Sequence, residues 1–123
     1  MWHVLYYETE GGKCPVKGFI DARTARNQAK ILAMIEALEE KGPNLPRPYA
    51  DLLEEGIHEL RVRLSGDSIR ILYFFCYRDF IVLTNVFDKR TGKVPASEIN
   101  EAKRFRADFL TRYDENALRE TFK

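Results

Sequence analysis

Apolar and polar positions follow two periods along this chain, and the switches between them divide it into elements. Trp2 to Glu8 is aromatic and β-branched and runs into Glu10, Gly11, Gly12 and Lys13, which predicts a strand and a turn. Val16 to Ile20, after Pro15, has room for one or two helical turns. From Arg23 to Glu40 the apolar residues Ala25, Ile31, Leu32, Ile35 and Leu38 recur at spacings of three and four, with Arg26, Lys30, Glu36, Glu39 and Glu40 on the other faces. This helix is expected to stop at Lys41-Gly42-Pro43. Residues 42–53, GPNLPRPYADLL, hold three of the five prolines and read as a connecting loop packed by Leu45, Tyr49 and Leu52.

The period then changes to two. In Ile57 to Leu64, His58, Leu60, Val62 and Leu64 point one way and Glu59, Arg61 and Arg63 the other, so one face is core and one is charged. Ser65-Gly66-Asp67-Ser68 signals a turn, and Ile69 to Tyr77 is apolar on both faces except for Arg70, as a central strand would be. Arg78-Asp79 closes the next hairpin, and Phe80 to Phe87 is again apolar on both faces apart from Thr84 and Asn85. A basic loop, residues 88–96, leads to Ser97, expected to cap a helix whose buried stripe is Ile99, Ala102, Phe105, Phe109 and Tyr113.

The order β-α-α-β-β-β-α predicts an α+β domain: a sheet of about four strands, with helices packed on one side. A single domain spans residues 1–113, and residues 114–123, with few apolar anchors beyond Leu118 and Phe122, are expected to form a frayed extension. The length of 123 residues suits one core, and 45% hydrophobic content fills it without a metal or disulfide staple. Cys14 and Cys76 lie far apart without a CxxC or a nearby His pair, which argues against zinc and for two reduced thiols of a cytosolic protein, Cys76 buried in its strand and Cys14 in a loop. Neither cysteine has a helix-start setting evident in the sequence. The N-terminus lacks the basic and apolar regions of a signal peptide, and the longest apolar run, Ile71 to Tyr77, is too short to span a membrane, so a cytoplasmic protein is expected.

Charge changes the picture only when it is divided along the chain. With 20 Lys+Arg against 19 Asp+Glu the net charge is +1, which excludes a globally polybasic protein. Residues 36–55, however, carry two basic and six acidic side chains, and residues 57–93 carry seven basic and four acidic. Arg61 and Arg63 share a strand face, Arg70 comes from the adjoining strand, and Lys89, Arg90 and Lys93 come from the loop after the last strand. Such a face is either ordinary solvated surface or a site for an anion, and phosphate is the natural guest, because like charges on neighbouring strands repel unless a counter-charge sits among them.

The run GIHELRVRLSGDSIRILYFF (56–75), followed by IVLTNVFDKRTGKVPASEINEAKRF (81–105), resembles the RelE/HigB-type toxins of bacterial type II toxin-antitoxin systems, in particular their phage-derived HigB-like branch. PVKGFID (15–21) and residues 30–53 extend the likeness, which runs from about Val4 to about Tyr113. The resemblance implies a RelE/ParE-like fold and a cytosolic mRNA interferase, an endoribonuclease that enters the ribosomal A site and is held inactive by a cognate antitoxin, usually with a helix-turn-helix. It implies cleavage without metal or cofactor, by attack of the RNA 2′-OH on the adjacent phosphate. By motif position it makes Arg61, Arg70 and Arg90 catalytic and Arg63, Lys89 and Lys93 phosphate-binding, with Arg70 and Arg90 stabilising the pentavalent phosphorus. Val94, Pro95 and Ala96 stand where some of these toxins carry a tyrosine or histidine, so the general acid and base are open among Glu59, His58, Lys89, Lys93, Asp88 and Asn85. By parity His58 belongs with the core residues, and Glu59 reads first as a salt-bridge partner of Arg61 or Arg70. Two other readings stay open: a ParE-like inhibitor of DNA gyrase without nuclease activity, and an inactive binding homologue. Whether the chain forms a homo-oligomer is open as well.

Overall fold

A computed structural model describes residues 1–89 and 92–122. Its elements are β1 (His3–Tyr6), α1 (Pro15–Asp21), α2 (Ala25–Lys41), a 3-10 turn (Gly42–Asn44), β2 (Ala50–Glu54), β3 (Ile57–Leu64), β4 (Asp67–Cys76), β5 (Phe80–Asp88), α3 (Ala96–Arg112) and α4 (Glu115–Thr121). The sheet runs β1-β5-β4-β3-β2, with β1 parallel to β5 and the other pairs antiparallel. The α+β class holds, and the expected elements follow one another as predicted with a strand, β2, and a helix, α4, added; no helix among the described residues is long and apolar enough to cross a membrane.

The sheet has five strands rather than four. All three prolines of the supposed loop, Pro43, Pro46 and Pro48, precede Ala50, so nothing prevents Ala50 to Glu54 from pairing along β3. Glu55 and Gly56, with φ of 45° and 79°, supply the two left-handed residues that a tight hairpin requires. Lys103 of α3 then pins this hairpin by ion pairs to Glu54, at 2.6 Å, and to Glu55.

Helices cover both faces of the sheet, not one. Val16, Ile20, Ile31, Ile35 and Leu38 of α1 and α2 pack on Leu60, Val62, Ile69, Ile71, Ile81 and Leu83. Ala102, Phe109 and Leu118 of α3 and α4 pack on Leu72, Phe74, Phe80 and Val82, the opposite parity of the same strands. Strands β4 and β5 are apolar on both sides because both sides are buried, and a single helical layer would have left Leu72, Phe74 and Val82 in water. Between Leu72 and Tyr73 the β4–β5 register slips by one residue, and the hydroxyl of the extra residue, Thr84, donates to Leu72 O at 3.0 Å.

Three local expectations are corrected. Ser97 lies inside α3, whose cap is Pro95; the Pro95 carbonyl accepts from the N–H groups of Glu98 and Ile99 at 3.0 and 3.3 Å. Cys14 is the N-cap residue of α1, without a side-chain capping bond, and Cys76 is half-buried, its thiol pushed up to about 11 by burial. The residues expected to fray instead form α4: the Asp114 carboxylate accepts from Ala117 N–H at 2.8 Å, Leu118 is buried, and Arg119 reaches the β4–β5 turn, 2.8 Å from Asp79 Oδ1 and 2.7 Å from Tyr77 O. Hydrogen bonding from Arg119 holds the Asp79 carboxyl below the usual carboxylate range, so its contribution to stability is complete above the unfolded-state pKa and is lost as pH falls through the lower folded value. Arg119→Ala is therefore expected to raise amide exchange in α4 while β4 and β5 keep their protection, and acidification of the wild type should reproduce the effect. Uniform protection across α4 in the variant would show that Leu118 alone docks the helix.

Candidate phosphate-binding cleft

Strand β3 places Glu59 and Arg61 two residues apart, hence on one face, and antiparallel pairing sets Arg61 directly opposite Arg70 of β4. The two guanidiniums would repel, but a carboxylate stands between them. Glu59, 4% exposed, lies 3.0 Å through Oε2 from Arg61 Nη2 and 2.9 Å through Oε1 from Arg70 Nε. The second contact is an ion pair by distance whose N–H is poorly aligned, so Arg70 Nε and Glu59 Oε1 are both buried without a formal hydrogen bond. Arg70 Nη1 donates to Ser68 Oγ and Ile69 O, both at 3.2 Å, and Arg61 Nη2 also meets Asp51 Oδ2 at 3.4 Å. Arg61 Nη1 and Arg70 Nη2 have no partner among the described residues.

These residues line a cleft of about 480 Å³. Lys89 and Lys93 stand on its far side, with Leu53, Val94 and Ile99 as apolar wall. The Lys89 N–H bonds Ser68 O at 2.9 Å, prolonging the β4–β5 ladder, and its ammonium donates to Gly92 O. Of the charged side chains that line the cleft among the described residues, four are basic and two, Glu54 and Glu59, are acidic, and both acids are already paired with cations. The arrangement offers forked N–H donors and ammoniums around an open space, which suits the oxygens of a phosphodiester.

Of the residues expected at the site, Arg61, Arg70, Glu59, Lys89 and Lys93 come together here. Arg63 is exposed farther along β3 beside Ser68, and Arg90 lies outside the described residues. His58 is on the other face of β3, its ring 5.3 Å from that of Tyr73 and 5.0 Å from that of Phe75, and burial lowers its pKa. Asn85 is buried and bonded to Thr84 and to Glu98, through Glu98 O at 3.2 Å and Oε1 at 3.0 Å. Asp88 is exposed at the end of β5. Sequence reasoning missed Asp51, which pairs with Arg47 and Arg61; the Glu55-Gly56 dipeptide was the available signal, because a hairpin there sets Asp51 opposite Glu59.

The family model described as "Phage derived protein Gp49-like (DUF891)" matches residues 18–107, well over half of the chain and all of the cleft. No curated protein matches the chain.

Proposed function

Since the chain belongs to the Gp49-like family of phage-derived proteins, which is associated with RelE-like toxins, we propose that it is the toxin of a toxin-antitoxin pair and cleaves mRNA on the ribosome. The observation that supports this best is the facing pair Arg61 and Arg70, held from behind by Glu59 at the edge of a cleft that Lys89 and Lys93 also line. In the proposed reaction the 2′-OH gives up its proton to solvent water and its oxygen bonds to the adjacent phosphorus, the bond from phosphorus to the 5′ oxygen breaks, that oxygen takes up a proton, and the products are a 2′,3′-cyclic phosphate and a 5′-hydroxyl. Charge grows on the non-bridging oxygens along this path, and the outward N–H groups of Arg61 and Arg70 are placed to receive it. The ammoniums of Lys89 and Lys93, which line the cleft, supply the proton to the leaving 5′ oxygen in this reading. Glu59, bound to two guanidiniums, acts by positioning them and not as the base. Its site of action is the ribosomal A site in the cytoplasm, and its restraint is a cognate antitoxin, with a helix-turn-helix as in the HigB-like branch.

Primer extension on a reporter mRNA after brief induction tests the proposal. Cuts are expected within translated codons, absent from the same transcript without its start codon and absent with Arg70→Ala. Growth arrest with intact mRNA would overturn it in favour of a target such as DNA gyrase, and no arrest in favour of an inactive binding protein.

A further inference from the structure

Arg61 and Arg70 also border a second groove, of about 710 Å³, on the other side of the guanidinium pair. It opens where β2 begins: Ala50 is paired with Leu60, and before it the Tyr49 carbonyl accepts the Arg61 N–H at 2.8 Å, so that Val62 and Arg63 have no strand outside them. The floor is apolar, made by Ala33 and Met34 of α2 and by Val62. The rim carries Lys30, Arg61, Arg63 and Arg70, and among the described residues no carboxylate lines it. Tyr49 stands at this groove with 49% of its surface in water, while its backbone is anchored on both sides, by Tyr49 N–H to Pro46 O at 2.9 Å and by the bond from Arg61.

Lys30 and Arg63, together with the outward N–H groups that Glu59 and Asp51 leave free on Arg61 and Arg70, select an anion, and an anchored, exposed aromatic ring over an apolar floor selects a flat apolar group attached to it. A nucleotide has both parts. We propose that this groove receives the base next to the phosphate held by Arg61 and Arg70, stacked on the Tyr49 ring, with Lys30 and Arg63 on the following phosphate. The inference rests on the RNA-cleavage reading and extends it from one phosphate to a path for single-stranded RNA around the free edge of β3.

A Tyr49→Trp variant supplies the probe. Titrated with single-stranded 2′-O-methyl RNA, which lacks the attacking hydroxyl and stays intact, the emission it gains over the wild type, whose single indole is Trp2, is expected to be quenched saturably, and adding Lys30→Ala and Arg63→Ala should weaken binding about tenfold or more at low salt. In the cleavage assay Tyr49→Ala is expected to lower kcat/KM about tenfold at unchanged melting temperature, and Tyr49→Phe to recover most of that loss. RNA that binds, by anisotropy of its own label, without quenching the introduced indole would overturn the proposal and leave the nuclease reading standing. Quenching by RNA in a protein that cleaves nothing would do the reverse. Quenching by an acidic peptide and not by RNA would assign the groove to a protein partner and overturn the proposal.

Discussion

Replacing Arg70 with lysine is expected to lower the rate of RNA cleavage by about 100-fold, although the charge is kept. The Arg70 guanidinium does three things at once: Nε sits on Glu59, Nη1 is bonded to Ser68 and to Ile69 O, and Nη2 is left for the substrate. A lysine has one nitrogen for all three. Its ammonium would settle on Glu59, the one buried carboxylate among the described residues, and withdraw from the phosphate as charge builds there. The same side chain is 16% exposed and its neighbours Ile69 and Ile71 are fully buried, so the fold is expected to survive the change. Single-turnover cleavage of translated mRNA, with a thermal melt of the same sample, separates the two effects. Cleavage within about threefold of wild type at equal stability would remove Arg70 from the reaction and leave Arg61 to carry it.

The second large effect falls on stability. Glu59→Ala leaves Arg61 and Arg70 facing each other across the β3–β4 ladder with nothing between them, and about 3 kcal/mol is expected to be lost, since removing one member of a buried pair strands the other charge. Asp51 keeps a hold on Arg61, and Ser68 and Ile69 keep one on Arg70, so the domain should still fold. The diagnostic result is the response to inorganic phosphate or sulfate: either anion should raise the urea midpoint of Glu59→Ala more than that of the wild type, because it replaces the missing carboxylate. Equal shifts in both proteins would mean that the guanidiniums turn to solvent when released and that Glu59 does not hold them together.

The charged row on β3 was legible because period two puts Glu59, Arg61 and Arg63 on one face whatever the rest of the chain does. Its partner was legible in part: Glu59 reads as a salt-bridge partner of Arg61 or Arg70, and only the register of β3 against β4 shows this one carboxylate reaching both guanidiniums. The apolar character of both faces of β4 and β5 was read correctly as central, yet it also demanded a second helical layer, which a list of elements in chain order does not reveal. Strand β2 was hidden by prolines that lie just ahead of it. Helix α4 was hidden because what holds it, Arg119 on Asp79, joins residues forty apart and leaves no local period. The place of His58 followed from parity alone. Tyr49 and Leu52 read from the sequence as packing a loop, yet both are exposed, because the setting of these residues depends on where β2 begins.

The parallel pairing of His3–Tyr6 with Phe80–Leu83 has a consequence for synthesis. Strand β1 leaves the ribosome well before β5 and lacks this partner until the more than seventy residues up to Phe80 have followed it, and contacts this far apart in sequence form late. The hairpin of β3 and β4 that carries Arg61 and Arg70 can close earlier, but Lys93 and Ile99, which complete the cleft, emerge after β5. A nascent copy therefore carries the two arginines long before it carries the enclosure around them, and the ribosome that makes the protein finishes most of it before that enclosure exists.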